Sequence, residues 1–330
     1  MLPIIAISIG DVNGIGPEVV LKAFDRTDLF DLCRPVVFAP PGVLEYYRER
    51  FGVPVDLAGI DDIAAARDRV LNVIATAGTF TADEVGRPTE AGGQASITAI
   101  EAAFAATQAG TAEAMVTAPV SKEAMAMAGS PFRGHTEMLA SLCGTPEDVL
   151  MILSSNTMNV GLVTIHVPIS QVAALITRER VQRTIRLAHR AMREDYGIED
   201  PKLAVLGLNP HAGDGGLLGD EEQTIIAPAV AAMQAEEIDV VGPFAADGFF
   251  SAHTQQMYDI IIAMYHDQGL VPFKLQAMGR GVNVTVGLPI VRTSPDHGTA
   301  YNIAGRGVAS AASMTEAIFF ARTIALNRAS

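Results

Sequence analysis

Residues Ile4 to Ile9 form a run with no polar face, closed by Gly10-Asp11 and by the turn Gly14-Ile15-Gly16 ahead of Pro17. A strand that is apolar on both sides must be covered on both sides, which is the condition of a parallel sheet with helices above and below it. Pro17 stands where a helix can begin, so the opening reads as a strand, a tight loop and a helix. The same grammar returns along the chain. PVVFAP leads into VLEYYRERF, VLNVIATA precedes the alanine-rich SITAIEAAFAATQAG, and AMVTAPV leads into SKEAMAMAG. Further on come MNVGLVTIHV, the polar helix ITRERVQRTIRLAHRAMRE, KLAVLGLNP, EEQTIIAPAVAAMQA, DIIIAMYHD and a closing helix, TEAIFFARTIALNR. Such alternation predicts an α/β fold with short crossovers. A chain of 330 residues suits two domains better than one. No Pro/Gly/Ser-rich tether separates them, so the two lobes are expected to share a sheet or exchange chain segments.

Composition narrows the function classes. Apolar residues make up 49% and charged residues 18%, which excludes a disordered chain. Asp and Glu number 37 against 23 Lys and Arg, a net charge of −14, which argues against nucleic acid or an anionic membrane as partner. An anionic ligand would need a local cluster of cations. Cys33 and Cys143 are the only cysteines, too few for a disulfide framework or a thiolate zinc cage. The first residues carry no basic stretch, and no apolar run reaches the roughly 18 residues of a membrane span. A cytoplasmic protein is expected.

The seven histidines differ in setting. His166 ends the strand GLVTIH, His211 follows AVLGLNP, and His266 follows IIIAMY. Parallel strands deliver their carboxyl ends to one edge of a sheet, so these three imidazoles can converge. Three neutral imidazoles with one open position are the composition of a catalytic zinc site. The alternative is three separate, hydrogen-bonded histidines, and their spacing fits no local zinc pattern. His189, among charges in RLAHRAMRE, reads as a surface residue, and His253 as a loop residue. Lys274, Arg280 and Arg292, interleaved with Asn283, Thr293 and Ser294, supply the donors that a phosphate or carboxylate needs. His135 and Thr136 stand at a helix start, where side-chain donors and free backbone N–H groups can hold an anion. GDVNGIGPE, by contrast, is a poor phosphate loop, because it lacks the P-loop Lys and Glu18 brings negative charge to the helix start.

Taken together, the motifs resemble the 4-hydroxythreonine-4-phosphate dehydrogenase family of vitamin B6 biosynthesis. They run in order through GDVNGIGPE (10–18), TAPVSK (117–122), GHTE (134–137), NPHAGDGGLLGDEE (209–222), GPFAAD (242–247), YHDQGLVPFK (265–274), GLPIVRTSPDHGTA (287–300) and IAGRG (303–307). The resemblance implies a fold like that of isocitrate and isopropylmalate dehydrogenases: two α/β/α lobes around a central cleft. The cofactor-side lobe would take 1–128 and 302–330, and the substrate, metal and dimerisation lobe 129–301. It implies a homodimer with shared active sites, metal ligands at His166, His211 and His266 drawn from both subunits, and substrate contacts at His135, Thr136, Lys274, Asn283 and Arg292. His297, Gly298, Thr299, Ala300 and Asn302 would lie near NAD or NADP. Asp247, Asp267 and Lys274 are the candidates for proton transfer or orientation. The implied reaction is oxidation of the C3 hydroxyl of 4-phosphooxy-L-threonine to 2-amino-3-oxo-4-phosphooxybutanoate, which loses carbon dioxide to give 3-amino-2-oxopropyl phosphate. A divalent ion, zinc ahead of Mg, Mn or Co, would lower the pKa of that hydroxyl. Two departures stand out: Val12-Asn13-Gly14 replaces the family's usual GDPAG turn, and Asn302 stands where Asp is common, which removes a carboxylate that would favour NAD over NADP. A dehydrogenase of threonate or erythronate 4-phosphate, and a metal-dependent lyase or phosphatase, are the competing readings. DHGTAYNIAGRG argues against the latter, which would have no use for a dinucleotide loop.

Overall fold

The computed structural model describes residues 2–25, 28–132, 134–144, 149–251 and 254–330. They form two compact units, Met1–Glu147 with Leu288–Ala329, and Asp148–Gly287. The first unit opens with β1 (Ile4–Ser8), α1 (Gly16–Ala23), the one-turn α2 (Leu29–Leu32), β2 (Arg34–Ala39), α3 (Val43–Phe51), β3 (Leu57–Gly59) and β4 (Leu71–Ala75). It continues through α4 (Glu90–Gln108), β5 (Ala114–Thr117), α5 (Lys122–Met127) and α6 (His135–Leu142). The second unit holds β6 (Leu150–Ser154), β7 (Asn159–Leu162), α7 (Ile169–Leu175), α8 (Arg178–Glu194), β8 (Leu203–Leu206), α9 (Ala227–Gln234) and β9 (Val240–Phe244). After these come α10 (Ala246–Ser251), β10 (Ile260–Ala263), α11 (His266–Ala277) and β11 (Val282–Val286). The chain then returns to the first unit with β12 (Arg292–Pro295) and α12 (Ala312–Ala329).

In the first unit the strands run in the order β3-β4-β2-β1-β5-β12, and every pairing is parallel. β1 is buried along its whole length, as its two-sided apolar run requires. Segments 129–147 and 288–301 belong to this unit rather than to the second, where the sequence boundaries place them. For 288–301 the reason is β12, which pairs with β5 through Arg292 opposite Met115 and Thr293 opposite Val116. Helix α4 starts ahead of its alanine-rich stretch, because the Thr89 hydroxyl accepts from the Gly92 amide at 3.1 Å and caps it.

In the second unit the order is β11-β6-β7-β10-β8-β9. Not every pairing here is parallel, because β11 with β6 and β6 with β7 are antiparallel. The cause is local. Only Ser155 to Met158 join β6 to β7, the Ser155 hydroxyl accepts from the amides of Thr157 and Met158, and so short a connection can only reverse the chain. The remaining pairs, β7 with β10, β10 with β8 and β8 with β9, are parallel. One face of this sheet packs Leu153, Val160, Leu162, Leu206 and Ile261 against Phe249, Leu270 and Phe273. Among the described residues no helix is long and apolar enough to cross a membrane.

Candidate functional site

The second unit carries the histidines. β7, β10 and β8 lie side by side and parallel, with Ile261 opposite Val160 and Ile260 opposite Leu203. Their carboxyl ends therefore share one edge, and His166, His211 and His266 each follow one of them. The rings of His166 and His266 stand 5.8 Å apart, centroid to centroid, beside a cavity of about 350 Å³ lined by Ile165, Val172, Tyr265 and Asp267. His211 has a different neighbour, its Nδ1 lying 3.9 Å from Asp247 Oδ2. Among the described residues no group of three His, Cys, Asp or Glu stands close enough to hold a metal. One chain thus brings two of the three imidazoles together and leaves the third outside.

His266 Nδ1 is 2.7 Å from Asp267 Oδ1. The carboxylate can only accept, so Nδ1 carries the proton and Nε2 keeps a lone pair of the kind that a metal accepts. Imidazole nitrogens backed by carboxylates suit zinc and its neighbours in the first transition row. Both carboxylates singled out for proton transfer therefore stand beside a histidine, Asp267 by His266 and Asp247 by His211. Lys274 is exposed on the last turn of α11, and Arg280 is exposed beyond it. Asn283 is half-buried in β11, and its Oδ1 is buried without a hydrogen-bond partner, an acceptor that a ligand could satisfy. His189 is half-buried on α8, and His253 lies outside the described residues.

The first unit carries the anion-binding candidates. Arg292 opens β12 and is 2% exposed. Its Nε and Nη2 donate to the Thr117 hydroxyl at 3.2 and 2.6 Å, and burial pushes the guanidinium down to about 9. His135 is the first residue of α6, followed by a half-buried Thr136. The His135 Nε2 lies 3.1 Å from the Ala118 carbonyl, which can only accept, so Nε2 bears the proton. Burial, Arg292 and Lys122 push the imidazole down to about 3, with only the Ala118 bond working against them. His135 is therefore neutral. What it offers a ligand is the Nδ1 lone pair, not the side-chain donor that its place at a helix start suggests.

This neutrality has a measurable price in acid. Between an ordinary value of 6.5 and about 3, the unfolded chain holds a proton at this position and the folded chain does not, so stability falls as pH drops through that window. His135→Gln should remove the effect. Urea unfolding at pH 5 and pH 7.5 is expected to show a difference smaller by about 1 to 2 kcal/mol in the variant, and equal differences would refute it.

The dinucleotide-loop candidates are braced against the opening motif. The Tyr301 hydroxyl donates to Asp11 Oδ2 at 2.5 Å, and the Ile15 amide donates to the Thr299 carbonyl at 3.0 Å. Asp11 is wholly buried, which raises its carboxyl pKa. Gly14 is required here, because a Cβ would stand 2.9 Å from that of Thr299. His297 is half-buried with Nδ1 3.2 Å from the Gly298 carbonyl, Ala300 sits at φ 43°, and Gly298 and Asn302 are exposed. Glu18 is also wholly buried, bonded to Lys22 at 2.7 Å and to the Ala309 amide at 2.8 Å. The start of α1 is thus supplied with the chain's own carboxylate, in keeping with its rejection as a phosphate loop.

Sequence reasoning assigned no part to Thr117, Tyr301, Asp11 or Glu222, which the structure places under Arg292, on Asp11, under Tyr301 and against the amides of Leu208 and Asn209. Thr117 could have been found as the strand-end hydroxyl of TAPVSK. The burial of Asp11 and Glu222 has no local signal.

Comparison with known proteins gives a consistent result. Residues 31–321 match the family model described as "Pyridoxal phosphate biosynthetic protein PdxA". The 4-hydroxythreonine-4-phosphate dehydrogenase of Prosthecochloris aestuarii is 44% identical, covering 97% of both chains, and that of Bacteroides thetaiotaomicron is 43% identical, covering 98% of this chain and 89% of its own. A crystal structure of the Klebsiella pneumoniae 4-hydroxythreonine-4-phosphate dehydrogenase superposes with a TM-score of 0.87, at 38% identity and 98% coverage of both chains.

Proposed function

The chain belongs to the PdxA family of pyridoxal phosphate biosynthetic proteins, and on that premise we propose that it oxidises the C3 hydroxyl of 4-phosphooxy-L-threonine with a nicotinamide cofactor. The observation that carries this is the match to 4-hydroxythreonine-4-phosphate dehydrogenases over almost the whole of both chains, at 44% identity.

Each residue's chemistry supports a part of the reaction. Arg292, its fork fixed by Thr117, presents N–H donors to a substrate anion, and Lys274 adds an ammonium. Neutral His135 accepts from a hydroxyl or amine on the substrate through Nδ1, with Thr136 beside it, and the unsatisfied Asn283 Oδ1 accepts from another donor. Asp267 and Asp247 orient His266 and His211. A divalent ion held by His166, His211 and His266, zinc first among the candidates, would acidify the C3 hydroxyl. The segment His297 to Asn302 holds NAD or NADP, kept in place by Tyr301 on Asp11 and by the amide of Ile15 on Thr299. The ketone product, β to its carboxylate, then loses carbon dioxide.

A second copy of the chain is proposed to complete the site. Val271, Leu275 and Met278 project from one face of α11 and just beyond its end, 57%, 74% and 85% exposed, an apolar stripe on the helix that His266 opens. A partner covering it could bring the third imidazole.

The direct test follows nicotinamide absorbance with 4-phosphooxy-L-threonine and with the threonate and erythronate analogues, with and without chelator. Reduction is expected with the amino substrate and is expected to stop on chelation. No reduction by the metal-loaded protein with any of the three would reject the dehydrogenase reading.

A further inference from the structure

We infer that Glu222 is a positioning residue that acts through His211, by clamping a left-handed turn that the chain would not otherwise hold; this rests on the reading of His211 as a metal ligand. His211, Ala212, Gly213, Asp214 and Gly215 have φ of 54°, 52°, 82°, 43° and 67°. Three of these five carry a Cβ, which crowds the following carbonyl oxygen in this left-handed region. A run like this persists only where its surroundings over-determine it. Glu222 supplies that constraint. It is 3% exposed and opens the π-helical turn Glu222–Ile226. Its Oε1 accepts from the backbone amides of Leu208 and Asn209, both at 2.7 Å, and its Oε2 accepts from Asn209 Nδ2 at 3.0 Å.

These bonds fix the chain at its exit from β8, just before His211. The same carboxylate reaches the crown of the turn, since a Cβ at Gly213 would stand 2.8 Å from Glu222 Oε2. The Gly213 carbonyl then accepts from the Leu218 amide at 3.0 Å and closes the far side. With both oxygens turned inward to N–H groups, Glu222 serves as the anchor of the loop that aims the imidazole, while His211 itself is exposed.

The test uses the full chain stripped of metal and titrated with Co²⁺, read from the visible spectrum of the bound ion. Glu222→Gln replaces an accepting oxygen by an N–H group and should weaken Co²⁺ binding by about 10- to 100-fold, with a cooperative thermal transition retained. Adding Ala212→Gly and Asp214→Gly lets the turn form with less strain, and should restore affinity to within about threefold of wild type. A general structural role for Glu222 would not be rescued in this way. Wild-type affinity in Glu222→Gln, or no recovery with the two glycines, overturns the inference. If Glu222→Gln does not fold, Asn209→Ala removes one side of the clamp and should show a smaller loss with the same rescue; no loss, or loss without rescue, overturns it. His211→Ala separates the two readings. If that variant binds Co²⁺ as wild type does, the metal assignment fails, and the clamp is judged by amide exchange over residues 208–215, which Glu222→Gln should speed by about tenfold or more; unchanged exchange would refute the clamp.

Discussion

Arg292→Ala is expected to lower kcat/KM by about 10² to 10⁴-fold while leaving the fold intact. Removing one partner of a buried, charge-assisted contact costs roughly 2–5 kcal/mol, much of it from the charge left behind on the other partner, here the substrate anion. The stability effect should be small because two contributions oppose each other. Truncation opens space beside Thr117, which destabilises. It also releases a guanidinium that burial holds at about 9, against an ordinary 12.5, which stabilises. The thermal midpoint is therefore expected to move by only a few degrees. Arg292→Lys should recover little, because a point charge cannot reproduce a planar fork held through Nε and Nη2. Steady-state kinetics beside thermal melts test this, and a kcat/KM within tenfold of wild type would remove Arg292 from the substrate site.

His266→Ala should abolish metal retention and reduce kcat by about 10³-fold or more, the largest loss expected of any single histidine. It is the imidazole whose ring neighbours His166 and whose Nδ1 is already held by Asp267, so it supplies the best-oriented donor in the second unit. His266 begins α11 with its side chain 36% exposed, and alanine is a good helix former, so folding should survive. Asp267→Asn keeps the ligand and loosens its orientation, for a milder loss of about 10- to 100-fold in metal affinity. Metal content of the purified protein, with kcat measured at saturating substrate, decides the matter. A His266→Ala protein that keeps its metal would end the assignment.

Much of this architecture was readable in the sequence, and the failures have physical causes. The runs that became β1, β2, β5, β8 and β10 are apolar on both sides, and burial on both faces is what such a run signals. β6 and β11 escaped notice because an antiparallel strand inside a mostly parallel sheet has the same apolar composition as its neighbours; only the turn at Ser155 to Met158 reveals the reversal. The histidines were legible because they follow strands. His135 was read as an anion donor because its place at a helix start is visible in the sequence. The Ala118 carbonyl that fixes its tautomer, and the burial and Arg292 charge that keep it neutral, all arrive through tertiary contacts. Glu222 was quoted within a motif and given no role, since nothing local distinguishes a buried carboxylate from a solvated one.

The return of the chain to its first unit bears on how the protein is made. β5 has β1 on one side and β12 on the other, and the partners Thr117 and Arg292 are 175 positions apart. On the ribosome the amino-terminal body thus emerges with one edge of its sheet lacking a neighbour, and the entire second unit is synthesised before that neighbour appears. Biogenesis is therefore not a matter of finishing one half and then the other: the body begun first is completed last, and a chain stopped short of β12 would leave an open strand exposed to aggregation.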